Sequence, residues 1–411
     1  MRTNAKHFSV SALYAHKLYW LAFLAIGIVV IVINTACGQA AEASEVYHLD
    51  LSRGIDVSTL ENLKYEALSR NMAEVSLDVQ GTETMSGNVI CSNNNLPAGD
   101  YMIAGGASGL LILQDTGTAL NLQGFCDDGT PSTVLAVERF TTHVAFGVGS
   151  ELEIARVMGG EPVSHMGSIT LSGSIMDIEA KGSWLFATTF YNVSVVDASD
   201  PSNPVLVAVI SQPGVMDVTV DGNYLYTGHS AGTDVINISN PAVPYQVSAI
   251  STQYEAGFSL DVENALLVRG GFNGIDGFVR VYNVVDPSNP QARDVVQMFG
   301  DNRPMMTTIS DGRVFVGVDE TPDNDRIDVY SLADPNNLAL LSSYTTGSLA
   351  PYAMAVNENS AYVAQVWGGK FDISGTMPTY QYGYSGEPVW ASDFAHLVIM
   401  TDFQYLPMIT R

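Results

Sequence analysis

Four carboxylates crowd one short stretch of this chain: Asp319, Glu320, Asp323 and Asp325 in Asp319-Glu320-Thr321-Pro322-Asp323-Asn324-Asp325. Hard oxygen ligands at that density suit Ca²⁺. The spacing departs from a helix-flanked calcium loop, so the same residues also read as a solvated acidic turn. Asp127-Asp128-Gly129 is a weaker case of the same kind. Three further acids, Asp177, Asp217 and Asp261, recur in short β-branched segments. They read as a ring of carboxylates around a cation, or as side chains that bind backbone donors once per repeat. Aromatic residues fall at turn positions: Phe190 and Tyr191, Phe272, Trp367 and Phe403, with His229 in a matching place. Turns are mostly polar, so these residues point to a binding surface for a protein or glycan. The alternative is rings folded back over strand ends.

Catalytic signatures are missing from the sequence. It has no Gly-x-Ser-x-Gly elbow, no Gly-x-x-x-x-Gly-Lys loop and no Cys-x-x-Cys pair. His48, His143, His165, His229 and His396 are scattered, with no adjacent nucleophile or ligand set. The composition narrows the classes further. Hydrophobic residues make up 46% of 411 residues, which is enough to build a core. Seventeen basic against 43 acidic residues give a formal charge of −26, and such a polyanion repels phosphate backbones. Nucleic acid is therefore not expected as a partner.

The first residues read as a targeting segment. Arg2, Lys6, His7, His16 and Lys17 form a basic leader, and Leu18–Ile33 is an uncharged apolar run of 16 residues, short of the ~20 that span a bilayer. Asn34-Thr35-Ala36-Cys37-Gly38-Gln39 follows. Thr35-Ala36-Cys37 resembles a bacterial lipoprotein signal, in which the Cys is acylated and becomes the mature N-terminus; Asn34 departs from that pattern. Cleavage after Gly38-Gln39-Ala40 and an uncleaved anchor are the alternatives, and all three imply export. The expected division is a signal segment over 1–36, a tether over 37–73 and a folded domain over 74–411. Ser58 and Glu61 form a capping-box pattern before Leu60, Leu63, Ala67 and Leu68, which predicts a short helix in the tether. With lipid on Cys37, Cys91 and Cys126 remain, and an oxidising compartment would let them bridge.

Internal repeats decide the fold class. Asp200-Pro201-Ser202-Asn203-Pro204, Asn240-Pro241-Ala242-Val243-Pro244, Asp286-Pro287-Ser288-Asn289-Pro290 and Asp334-Pro335-Asn336-Asn337 are turns in which Pro and Asx residues stop a strand ladder. Between them run short β-branched and aromatic strands, four per unit. A four-stranded unit cannot bury both faces alone, and radial stacking into a β-propeller solves that. Weaker units at 101–113, 143–155, 361–373 and 396–409 bring the count to eight, with seven as the alternative. Glu74–Val79, with the alternation of a strand, is the candidate closing strand within 74–80.

Val195-Val196-Asp197 followed by Asp200-Pro201-Ser202-Asn203-Pro204 resembles the LVIVD-repeat family of bacterial and archaeal surface proteins, most clearly over 170–340. The resemblance implies an all-β propeller of four-stranded antiparallel blades and an envelope location, and it implies no activity. The expected role is a binding or scaffold module, held at the membrane by an N-terminal lipid and taking a protein or glycan partner. The rival is a propeller hydrolase or lyase with its site at the channel mouth. No cofactor is implied beyond Ca²⁺.

Overall fold

Short β-branched strands separated by short turns pair with their sequence neighbours, because the chain need only reverse to satisfy the next ladder. In the computed structural model, which describes residues 89–384 apart from short gaps (93–94, 98, 107–108, 128–133, 159–160, 253–254, 321–323, 348–350, 358 and 365–368) together with 29–33, 45–49 and 398–400, this happens seven times. The chain divides into two compact units, Met1–Ser86 and Gly87–Arg411. In the first, Val29–Ile33 pairs antiparallel with Glu45–Leu49. The helix expected over 58–68 and the closing strand expected over 74–80 lie outside the described residues. No helix among the described residues is long and apolar enough to cross a membrane.

The second unit is a seven-bladed β-propeller. Blade 3 shows the plan. Its first strand, Ile175–Lys181, is followed by Trp184–Thr189, Asn192–Asp197 and Val205–Ser211, hydrogen-bonded in that order. Blade 4 repeats it with Val215–Asp221, Tyr224–His229, Gly232–Asn237 and Tyr245–Ser251. Blade 5 uses Ala256–Glu263, Leu266–Phe272, Gly277–Asn283 and Gln291–Met298. Blade 6 uses Asn302–Ser310, Arg313–Glu320, Asp325–Ser331 and Ala339–Gly347. Blade 2 starts at Val134–Phe140, and blade 7 runs from Ala353–Asn357 to Thr379–Gly383. First strands of successive blades pack on one another and line the channel.

The Asx-Pro turns work as their sequence suggests. Asp197 Oδ1 accepts the Ser199 amide at 2.9 Å, and Asp200 Oδ1 accepts that of Ser202 at 3.1 Å. Asn283 and Asp286 repeat both bonds with Val285 and Ser288. Side chains thus take over the backbone donors that the interrupted ladder releases.

Eight blades give way to seven because the last segment joins the first blade. Val398–Met400 pairs with Asp100–Gly106 through Val398↔Ile103 and Met400↔Tyr101. It adds a strand to the sheet of Asp100–Gly106, Gly109–Asp115 and Leu120–Asp127. Ile90–Cys91 pairs on the opposite edge, where a disulfide joins Cys91 to Cys126. A three-residue strand has no face wide enough to make a blade, but it can occupy an open ladder.

Blades 7 and 1 are also fastened by side chains. The Asp115 carboxylate accepts hydrogen bonds from Lys370 Nζ at 2.6 Å, Tyr382 Oη at 2.6 Å and Tyr362 Oη. Lys370 also lies over both tyrosine rings, at 5.3 and 5.6 Å. Burial opposes ionisation of Asp115, but the bonds from Lys370 and the two phenols outweigh it and hold the carboxyl at about 2. Removing one partner of a buried ion pair strands the other. Asp115→Ala is therefore expected to cost about 3–5 kcal/mol of unfolding free energy in urea titrations at pH 7. A variant as stable as wild type would show that this contact does not hold the ring shut.

Candidate functional site

The turns between second and third strands share one face with the connections that lead into each first strand. This is the face on which the sequence places its aromatic and acidic candidates. Tyr191 is 54% exposed and meets Phe190 edge-on at 5.5 Å. Phe272 is a correction to the expected exposed patch. It is only 4% exposed, because it ends a strand whose side faces blade 6, and the Arg303 guanidinium covers its ring at 5.2 Å. Trp367 and Phe403 lie outside the described residues.

The acidic loop of blade 6 is countered by arginine. Arg303 bonds Asp301 at 2.7 and 2.9 Å and stands 3.8 Å from Asp319. Arg326 pairs with Glu320 and with Asp328 at 3.0 Å. Asp325 is buried and caps the Glu320 amide at 2.9 Å. Burial, opposed by Arg303 and reinforced by Asp325, pushes the Asp319 carboxyl up to about 6. Asp323 is outside the described residues. Arg303 and Arg326 thus stand against Asp319 and Glu320, and no group of three or more metal-ligating side chains stands together among the described residues.

The channel acids form a ladder from blade to blade. Asp177 accepts the amide of its own Ile178 at 2.8 Å and that of Val218 in blade 4 at 2.8 Å. Asp217 accepts the amide of Leu260 in blade 5. Asp261 bonds its own Val262 at 2.7 Å and Ile309 in blade 6 at 2.6 Å. The three are not one level of a ring. Asp177 and Asp217 pair with Thr188 and Gly228, whereas Asp261 pairs with Val268, two residues along its strand from the matching Ser259. Glu138 and Glu179, which the repeat comparison did not single out, stand on the Asp261 level opposite Ala145 and Phe186. Burial, then the charge and hydrogen bond of Asp177, raise Asp217 well above the carboxylate range. Burial and the charge of Asp177 push Glu138 up to about 8.

A family model described as LVIVD repeat matches residues 172–210 and 214–252, blades 3 and 4. The chain carries LVIVD repeats in a β-propeller. No curated protein matches it. Among solved structures, a functionally unknown protein from Desulfotomaculum acetoxidans superposes with a TM-score of 0.60 at 12% identity, covering 74% of this chain and 100% of that one. A periplasmic gluconolactonase from Pseudomonas aeruginosa superposes with a TM-score of 0.59 at 13% identity, covering 74% and 99%. At these identities the likeness shows the fold alone.

A carboxyl held protonated in the folded state and ionised in the unfolded one sets a pH slope. Glu138 rises from 4.5 to about 8 on folding, so the unfolded chain binds fewer protons between those values. Stability is expected to fall as pH rises from 4.5 through 8 and then level off. Glu138→Gln should flatten that slope and gain on the order of 2 kcal/mol at pH 8, allowing for partial solvent screening. Melting curves from pH 5 to 9 check this, and parallel slopes for variant and wild type would refute it.

Proposed function

We propose that the chain is exported, anchored through lipid on Cys37, and acts at the cell envelope as a binding module for a protein or glycan. The observation that carries this reading is the distribution of reactive side chains on the turn face. The exposed Tyr191 stands at a turn of blade 3, while Arg303, Glu320 and Arg326 stand on three strands of blade 6, so the candidate surface draws on two blades. The basic leader, the apolar run and Thr35-Ala36-Cys37 support export and lipidation. Wild type should incorporate labelled palmitate and pellet with membranes, and Cys37→Ala should lose both. A Cys37→Ala protein that is labelled and sediments like wild type refutes the anchor. For the face, Tyr191→Ala should weaken binding to an envelope glycan or protein ligand by about tenfold while the melting temperature stays unchanged.

The raised carboxyls favour a second reading, a hydrolase or lyase with its acid in the channel. The Glu138 carboxyl stays protonated near neutrality, as a general acid must. The gluconolactonase with this fold suggests a lactone as the first substrate to try. Hydrolysis of gluconolactone, followed by proton release, should drop by about 100-fold in Glu138→Gln if this reading holds. Equal rates for variant, wild type and buffer would leave the binding module standing.

A further inference from the structure

Two neighbouring seams of the ring use the same positions in different ways. Between blades 3 and 4, Gln212 follows the outer strand of blade 3 and is buried. Its Nε2 donates to Asp234 Oδ2 at 2.6 Å, and its Oε1 accepts the Thr227 hydroxyl at 2.7 Å. Gln246 Nε2 adds a bond to Asp234 Oδ1 at 3.0 Å. The clasp is closed.

One blade on, strand register identifies the matching residues. Ser211 pairs with Asn192 and Ser251 with Gly232, so Thr252 takes the place of Gln212. Arg269 pairs with Arg280 as Thr227 pairs with Asp234. Ala187 and Val316 hold the Arg269 position in blades 3 and 6, so the buried guanidinium is a departure from its neighbours in the ring. Glu255 answers part of it. It accepts Arg280 Nε at 2.8 Å and Arg269 Nη1 at 3.4 Å, while Arg269 Nη2 donates to the Glu255 carbonyl at 2.7 Å and the His229 carbonyl at 3.4 Å.

Three groups of this seam remain. Among the described residues, four buried side-chain atoms lack a hydrogen-bond partner, and three of them are Arg269 Nε, Thr233 Oγ1 and Thr252 Oγ1. All three belong to the seam between blades 4 and 5. Thr233 pairs with Gly228, whose side faces Leu260 of blade 5, and Thr252 lies two residues beyond Ile250, which packs in the same blade 4–5 core. The Arg269 side chain is 0% exposed, and the Arg280 side chain, at 27%, opens the seam toward solvent. Nε–H can only donate and each hydroxyl can donate, so the seam offers three donors. Two guanidinium groups against the single Glu255 carboxylate leave it positive, inside a chain of formal charge −26. Leaving buried donors unmet is costly, and most of all for a charged group.

We infer that the seam between blades 4 and 5 binds a small carboxylate through Arg269 Nε, Thr233 Oγ1 and Thr252 Oγ1. A carboxylate supplies acceptors only, which fits three donors beside an excess guanidinium charge. The Gln212 clasp, whose amide is satisfied by Asp234 and Thr227, marks what the same position looks like when protein groups close it.

The test uses the full-length chain and sodium acetate as probe, in calorimetric titration and thermal melts at pH 7.5, against sodium chloride at equal ionic strength. Wild type should show a saturable heat and a rise in melting temperature with acetate beyond that with chloride. Thr252→Gln, which brings an amide oxygen toward Arg269 Nε as Gln212 does toward Thr227, should bind acetate at least tenfold more weakly and melt higher without it. Thr233→Val, which keeps the shape and removes one donor, should weaken acetate several-fold and covers the case in which Thr252→Gln fails to fold. No saturable heat in wild type, an equal effect of chloride, or undiminished binding by both variants would overturn the assignment.

Discussion

Every blade of this ring has two apolar faces and exactly one neighbour for each, and the rest of the structure follows from that constraint. The buried residues separate into seven clusters, each spanning one seam. Phe186, Val193 and Val195 of blade 3 meet Val218, Leu225 and Ile236 of blade 4. Met306, Phe315 and Ile327 of blade 6 meet Ala361, Val363 and Phe371 of blade 7. Among the described residues every apolar cluster spans a seam and none is central, so a blade without its neighbour would leave a face exposed. The seam between blades 7 and 1, built from Ala353 and Tyr362 against Met102, Leu113 and Leu120, is the one the chain cannot make by adding the next repeat. It is also where Val398–Met400 and the Asp115–Lys370 contact are found.

The polar contents of the seams fall into two kinds. Asp177, Asp217 and Asp261 spend their oxygens on amides of the following blade, so a carboxylate fixes the height of one first strand relative to the next. Apolar packing alone sets no such register, because Val, Ile and Leu contacts tolerate sliding. The cost falls on buried acids: burial first, and then the charge of Asp177, raises both Glu138 and Asp217. Arg269 is of the second kind. It brings a charge into a seam whose protein groups leave Nε unmet.

The turn face is less acidic in space than in sequence. Asp319 and Glu320 sit beside Arg303 and Arg326, which come from different strands of the same blade. Antiparallel pairing sets Asn302–Ser310 and Asp325–Ser331 on either side of the strand that carries those acids, so cation and anion converge without being sequence neighbours. Among the described residues this face presents a mixed network of charges beside the exposed Tyr191.

The sequence by itself determined the unit of construction. Asx-Pro turns and β-branched runs dictate four-stranded antiparallel blades, because Pro and Asx side chains end a ladder locally and need no distant partner. The acids Asp177 and Asp217 at matching positions were visible for the same reason. The number of blades was decided only in three dimensions: the sequence from His396 reads as the start of another unit, and the pairing of Val398–Met400 with the first blade depends on an open ladder almost 300 residues earlier. Burial of Phe272 depended on Arg303 arriving from the next blade. The two-residue offset of Asp261 from Asp217 was hidden because Leu260-Asp261-Val262 has the same apolar-acid-apolar pattern as Met216-Asp217-Val218, although the bulge common to both strands sets Ser259, not Asp261, at the Asp217 position. Arg269 carried a faint signal, a charge on the inward side of Leu266-Leu267-Val268-Arg269-Gly270-Gly271-Phe272. Its meaning rests on Thr233, Thr252 and Glu255, which only the packing of one blade on another brings to it, since side-chain contacts across a seam leave no spacing in the chain to read.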